Sequence, residues 1–335
     1  GKTIGKYKTG SVVVLTRKGS NVYVNGKKAG REVLFAPARN VPGFLVKGNK
    51  YRGDMKAIPS SWGNGITLIN VLPMEDYLKG VVPSEIVPSW RMDAIKAQAV
   101  AARTYATYHR NGYRSSGYDV TDDTRTQVYR GFSAETAATN RAVSETAGEV
   151  VTYAGKPIDA LFHSSGGGFT ENSENVWGSV IPYLRGVKEE SSTYLMTPWK
   201  KTMTMASFTK SLENAGYKIG DLKSIKLSHL KKGEANHSSD RGISGRVKSV
   251  VFVGKKGRAT VSGERLQRLY GLDSTLFDIS AKGKELTITG YGYGHGLGLS
   301  QWGAEAMAEK NGDGKNYYKT ILSHYFTGTK IEKIY

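Results

Sequence analysis

Apolar positions in the first 60 residues come in short bursts broken by glycine and polar pairs, not in long runs. Val12-Val13-Val14-Leu15 and Val22-Tyr23-Val24 flank Lys18-Gly19-Ser20-Asn21, a spacing that predicts a β-hairpin. Ile66-Thr67-Leu68-Ile69-Asn70-Val71-Leu72 predicts a buried strand that runs into a short segment at 74–78. The clearest helix is predicted over 91–110. It carries Ala94, Ala97, Ala99, Ala101, Ala102 and Ala106 with Ile95 and Val100, and it stops before Asn111-Gly112. Alanine is the best helix former, and small side chains on every face let neighbouring elements approach closely. A second helix is predicted over 134–147, with Ser133 as N-cap and Gly148 as the stop. Strands at 149–153 and 158–163 then flank a turn at Ala154-Gly155-Lys156-Pro157.

From about residue 186 the chain turns to lysine-rich alternation. Strands are predicted at 247–253 and 258–261 around Gly254-Lys255-Lys256-Gly257, and another at 285–289 before a glycine-rich stretch at 290–298. Helices near 301–309 and 317–326 close the chain, and no repeat of solenoid period is present. These elements predict a mixed α+β fold with an alanine-rich central helix and a substrate cleft. The expected parts are a basic β-rich region at 1–60, a core at 61–185 and 285–335, and a smaller basic α+β subdomain inserted at 186–284.

Charge changes this picture more than bulk composition does. Formal net charge is +19, and residues 1–60 hold 13 basic and 2 acidic side chains, net +11. Residues 186–284 hold 19 basic and 9 acidic, net +10, while the remainder has 16 basic and 18 acidic, net −2. Two cationic parts around a near-neutral centre predict electrostatic holding on a polyanion, with chemistry elsewhere. Nucleic acid, an anionic lipid surface and wall teichoic acid are the polyanions to weigh, and no nucleic-acid-binding motif is present. Cysteine is absent, which excludes disulfides and cysteine-based metal or nucleophile sites. No signal-peptide pattern stands at the N-terminus, and Gly1 as first residue reads as a mature or trimmed chain.

Gly80-Val81-Val82-Pro83-Ser84-Glu85-Ile86 places one carboxylate in an apolar, proline-bounded turn ahead of the alanine-rich helix. Such surroundings disfavour the charged form, as a general acid working near neutral pH requires. The alternative role for Glu85 is to cap the following helix through its N-terminal N–H groups. Lys96 and Arg103 lie two turns apart on one face of that helix. They either reach a cleft and bind sugar hydroxyls and carboxylates, or pair with the core's own acids. His163 through Asn172 is polar and glycine-rich, with Thr170 among its hydrogen-bonding groups. Tyr183 and Arg185 present an aromatic beside a cation. His295, within Gly290–Gly298, either contacts a ligand or anchors its turn. The six histidines are scattered and no His-Glu-x-x-His occurs, so no metal is expected.

Four blocks in order resemble the signature of the SpoIID/LytB family. They are Asn70-Val71-Leu72-Pro73-Met74-Glu75-Asp76-Tyr77-Leu78 continuing to Glu85; Ala94-Ile95-Lys96-Ala97-Gln98-Ala99-Val100-Ala101-Ala102-Arg103-Thr104-Tyr105; residues 162–174 with Val176-Trp177; and residues 292–304. The resemblance implies a peptidoglycan lytic transglycosylase acting on glycan strands stripped of stem peptides, or an enhancer of an N-acetylmuramoyl-L-alanine amidase. It implies Glu85 as the catalytic residue, with Lys96, Arg103, Thr170, Tyr183 and Arg185 contacting substrate. Some members carry Cys and His in the loop before Gln-Val-Tyr. Thr121-Asp122-Asp123-Thr124-Arg125-Thr126 stands there instead, so neither zinc nor another cofactor is expected. An exported, wall-associated protein with glycan strands, teichoic acid and an amidase as partners is the expectation. The basic N-terminal part favours an enhancer-type member.

Overall fold

The computed structural model describes residues 3–38, 43–190, 194, 197–312, 314 and 316–335. Among them, eight α-helices and nineteen short strands form several small sheets, a mixed α+β architecture without a closed barrel. The chain divides into two compact units. One is Gly1–Ser89 with Ala102–Glu149 and Lys333–Tyr335; the other is Trp90–Ala101 with Val150–Glu332.

In the first unit, Leu15–Lys18, Asn21–Val24 and Lys27–Gly30 form an antiparallel sheet. Pairing of the first two strands begins at Leu15 opposite Val24, so the predicted strand at 12–14 is not formed and Val12 is 83% exposed. A second antiparallel sheet orders Val33–Phe35, Asp54–Pro59 and Ile66–Val71. Its apolar face contributes Val33 and Ala57 to a core with Val22 and Val24.

Helix α1 (Met74–Glu85) is longer than the segment expected at 74–78. Leu78, Val81 and Val82, spaced for one helical face, are fully buried. Pro83 falls in the last turn, where the ladder has nearly ended, and the Ile86 N–H still reaches the Val82 carbonyl at 3.0 Å. Gly80 serves close packing: a Cβ there would lie 2.5 Å from Tyr129 Cε2. Helix α2 (Met92–Tyr108) buries its alanines on every face, and Ala94, Ala97, Ala99, Ala101 and Ala102 are wholly inaccessible. Helix α3 (Ala137–Glu145) is capped by Thr136, whose hydroxyl accepts the Thr139 N–H at 3.2 Å. Ser133, the expected cap, instead accepts the Lys50 N–H at 2.9 Å. Gly148, at φ +76°, follows the helix as predicted.

In the second unit the predicted hairpin appears as Ser249–Gly254 and Arg258–Ser262, joined on its other side by Leu222–Lys226. Glu285–Gly290, which composition assigned to the core, is the central strand of a sheet between Trp199–Thr204 and Phe277–Lys282. Phe208, Phe252, Val261, Leu266, Phe277 and Ile288 share one core, with the Phe208 ring stacked on Tyr270 at 4.7 Å. Phe162–His163 pairs in parallel with Leu299–Ser300, which brings the Gly290–Gly298 loop beside the 163–172 segment.

Gly80→Ala separates propensity from packing. Helix propensity alone favours alanine by up to about 1 kcal/mol, but the added methyl meets Tyr129. A net loss of about 1–3 kcal/mol is expected in denaturant titrations; a variant more stable than the parent would mean the ring is free to yield.

Candidate active site

Glu85 is the last residue of α1 and half-buried. Its Oε1 accepts the Val128 N–H at 2.7 Å. Burial raises its pKa above the ordinary carboxyl range, the Val128 hydrogen bond opposes the rise, and no charged side chain among the described residues contributes. The C-terminal end of a helix carries partial negative charge, which further disfavours the anion. Glu85 therefore keeps its proton to higher pH than a free carboxyl does.

The segment 127–130 holds this arrangement in place. Gln127 donates from Nε2 to the Ala102 carbonyl at 3.2 Å and accepts the Tyr77 hydroxyl at 3.2 Å. Arg130 N–H reaches the Gly80 carbonyl at 3.2 Å, and the Tyr129 hydroxyl donates to Asn70 Oδ1 at 2.6 Å. Sequence reasoning missed this strap because its key donor, the Val128 N–H, is backbone and leaves no side-chain signal. Just ahead of α2, the Arg91 N–H donates to Glu305, 2.9 Å from Oε2.

Arg103 is wholly buried and serves the interior instead of the expected groove. Its Nε and Nη2 donate to the two oxygens of Glu75 at 2.8 and 2.7 Å, and further bonds reach Thr146 and the Val143 and Glu149 carbonyls. Burial pushes the Glu75 pKa up, but hydrogen bonds from Arg103 and Tyr335 outweigh it and the net direction is down. Asp76 pairs with Lys79 at 2.8 Å. Both acids upstream of Glu85 are thus occupied. In the loop before Gln127, Asp123 is held by Arg125 at 2.8 Å and by the Thr121 hydroxyl at 3.1 Å.

The remaining expected site residues belong to the second unit. Lys96 is half-buried with its ammonium 5.7 Å from the Tyr318 ring centre. Thr170 is buried, and its hydroxyl accepts the Val187 N–H at 2.8 Å. The Tyr183 hydroxyl accepts the Asp159 N–H at 3.2 Å, and Arg185 pairs with Glu174. His295 anchors its loop: Nδ1 accepts the Leu297 N–H at 3.0 Å, so Nε2 carries the proton and donates to the Phe162 carbonyl at 3.1 Å. Burial, with the nearby Arg246 charge, lowers its pKa to about 4, and the ring is neutral at pH 7. The second unit also contains a cleft of about 480 Å³ lined in part by His295, Trp177 and Arg246.

A family model described as "Stage II sporulation protein" matches residues 63–153, and a second, described as a domain of unknown function, matches residues 167–298. An uncharacterized protein of Brachyspira hyodysenteriae is 34% identical over 86% of this chain and 74% of its own length. Stage II sporulation protein D of Bacillus subtilis is 34% identical, covering 78% of this chain and 75% of that protein. An amidase enhancer of Bacillus subtilis is 33% identical over 76% of this chain and 40% of its own length.

Arg103→Ala leaves Glu75 without its main partner in a half-buried site, and a loss of about 3–5 kcal/mol is expected by chemical denaturation. A loss under about 1 kcal/mol, the range of an exposed ion pair, would refute a structural role. Glu85→Gln should act in the opposite direction. A raised folded-state pKa gives stability that is present below the unfolded pKa and lost as pH rises through the folded one. The amide keeps an acceptor for the Val128 N–H and does not ionise, so the variant should melt higher than the parent at pH 7 and level with it at pH 4. A lower melting temperature at pH 7 would show that Glu85 is held as an anion.

Proposed function

The chain belongs to the SpoIID family, and on that premise we propose that it is a peptidoglycan lytic transglycosylase with Glu85 as general acid and base. The observation that carries this reading is the half-buried Glu85 carboxyl, raised in pKa and with no cation paired to it among the described residues. As the acid, Glu85 protonates the glycosidic oxygen between N-acetylmuramic acid and N-acetylglucosamine. Its conjugate base then takes the proton from the muramoyl C6 hydroxyl as that oxygen closes on the anomeric carbon. The products are a 1,6-anhydromuramoyl end and a free N-acetylglucosamine 4-hydroxyl, and Glu85 regains its proton.

Hydrolytic glycosidases generally need a second carboxylate, to activate water or to form a covalent intermediate. Occupation of Glu75 by Arg103 and of Asp76 by Lys79 favours the internal nucleophile. Substrates are glycan strands poor in stem peptides. The surplus of lysine and arginine favours retention on wall polyanions such as teichoic acid, and the setting proposed is the cell wall outside the membrane. No helix among the described residues is long and apolar enough to cross a membrane.

The likeness to an amidase enhancer favours a second reading, in which the chain grips wall glycan and stimulates an N-acetylmuramoyl-L-alanine amidase without cleaving. Mass spectrometry of denuded glycan strands separates the two. The parent should yield 1,6-anhydromuramoyl ends, and Glu85→Gln should lower their rate by about 10²–10⁴-fold. Ordinary reducing ends would replace the internal nucleophile with water. No cleavage, together with faster amidase turnover, would establish the enhancer.

A further inference from the structure

Asparagine followed by glycine occurs four times, as Asn25-Gly26, Asn64-Gly65, Asn111-Gly112 and Asn311-Gly312. The pair is chemically labile, because glycine has no side chain to shield its backbone nitrogen from the neighbouring carboxamide. All four asparagines are exposed, so exposure does not distinguish them. Their hydrogen bonds do.

Asn25 and Gly26, both at positive φ, form the two-residue turn between Asn21–Val24 and Lys27–Gly30, and Asn25 Oδ1 accepts the Val14 N–H at 2.8 Å. The Gly112 N–H is committed to the His109 carbonyl at 2.8 Å, and a Cβ on that glycine would lie 3.0 Å from the same oxygen. Asn311 ends the helix Gln301–Asn311, and its Nδ2 donates to the Met307 carbonyl at 2.9 Å and to the Tyr317 hydroxyl at 2.7 Å. In each of these pairs the carboxamide or the glycine nitrogen is already held. Asn64-Gly65 differs. Among the described residues, neither the Asn64 carboxamide nor the Gly65 N–H has a hydrogen-bond partner, and a Cβ added at Gly63 or Gly65 would meet nothing within 4 Å. The loop is still fixed around them: the Ser60 N–H donates to the Gly65 carbonyl at 2.9 Å, and Arg17 holds the carbonyls of Ser60 and Gly63.

We propose that Asn64 is a site of spontaneous deamidation in the folded protein, through a succinimide formed with Gly65. The Gly65 nitrogen gives up its proton to solvent and attacks Asn64 Cγ. The Cγ–Nδ2 bond breaks, and the side-chain nitrogen leaves as ammonia. Water then opens the ring at either carbonyl, which yields aspartate or, where the chain continues through the side-chain carbon, isoaspartate. Either product adds one negative charge beside Arg17, next to the part of the chain that carries net +11 over residues 1–60. The modification does not depend on the proposed function. Its consequence, a weaker hold on a wall polyanion, rests on that reading.

Peptide mapping by mass spectrometry, on the whole chain kept folded at mildly alkaline pH, tests the site. Position 64 should become one mass unit heavier at least tenfold faster than positions 25, 111 and 311, as a mixture of aspartate and isoaspartate. In denaturant, where the other three lose their hydrogen bonds, that lead should disappear. Gly65→Ala places its methyl in open space at a φ that is not positive, so the variant should fold as the parent does and deamidate at least tenfold more slowly. Equal rates at the four positions in the folded chain, aspartate as the sole product, or a rate unmoved by Gly65→Ala would overturn the proposal. A lead kept undiminished in denaturant would overturn the protection read from the hydrogen bonds. Asn64→Asp should elute from immobilised teichoic acid at lower salt than the parent. Equal elution condemns the consequence for retention alone, and equal conversion at the four positions condemns the modification alone.

Discussion

A guanidinium sealed among alanines must be neutralised where it sits, and Arg103 is neutralised by Glu75. The rest of the candidate active site follows from that pairing. Glu75 stands in the first turn of α1 and Glu85 ends the same helix, so one element carries two carboxyls at opposite poles of its dipole. At the first turn, the bidentate arginine and the Tyr335 hydroxyl hold the acid ionised. At the last turn, burial with a single N–H donor keeps the other protonated to higher pH. The two environments drive the carboxyls in opposite directions, Glu75 down and Glu85 up. Glu75 is thereby held in an internal ion pair, while Glu85 remains the acid of the proposed chemistry.

Much of this could be read from residues alone, for physical reasons that differ by element. The alanine-rich helix was legible because propensity and periodicity agree along its whole length, and the structure gives Met92–Tyr108. The hairpin around residues 254–257 was legible because β-branched strands flank a glycine turn. The start of α3 differs from the expectation: the Ser133 hydroxyl accepts the Lys50 N–H, and Thr136 caps the helix. Helix α1 was cut short because Gly80 and Pro83 are breakers in isolation. One glycine makes room for Tyr129, and the proline falls where its missing donor costs little.

Glu85 was legible as a carboxyl in an apolar context. The support that sets its protonation was not, since Val128 contributes only its backbone N–H, 43 residues away along the chain. Arg103 shows the converse limit. Its place on a helix face permitted either a groove or an internal ion pair, and the tertiary position of Glu75, 28 residues upstream, decides for the pair. Spacing along a helix shows which side chains share a face, but not which acid another element brings to that face.

The surplus of 48 basic over 29 acidic side chains is a separate matter from this chemistry. Fields from exposed lysines are screened within about 8–10 Å at physiological ionic strength, whereas a buried carboxyl responds mainly to its immediate surroundings. Among the described residues no charged neighbour contributes to the shift at Glu85. On the proposed function, salt would act on how the protein is held to an anionic polymer, while pH acts on the state of the acid. On that reading, dense positive charge for retention and an uncompensated proton donor for bond cleavage fall to different residues. A lysine beside Glu85 would stabilise the carboxylate and oppose the rise that burial causes, so the proton used in the proposed reaction would be lost at lower pH.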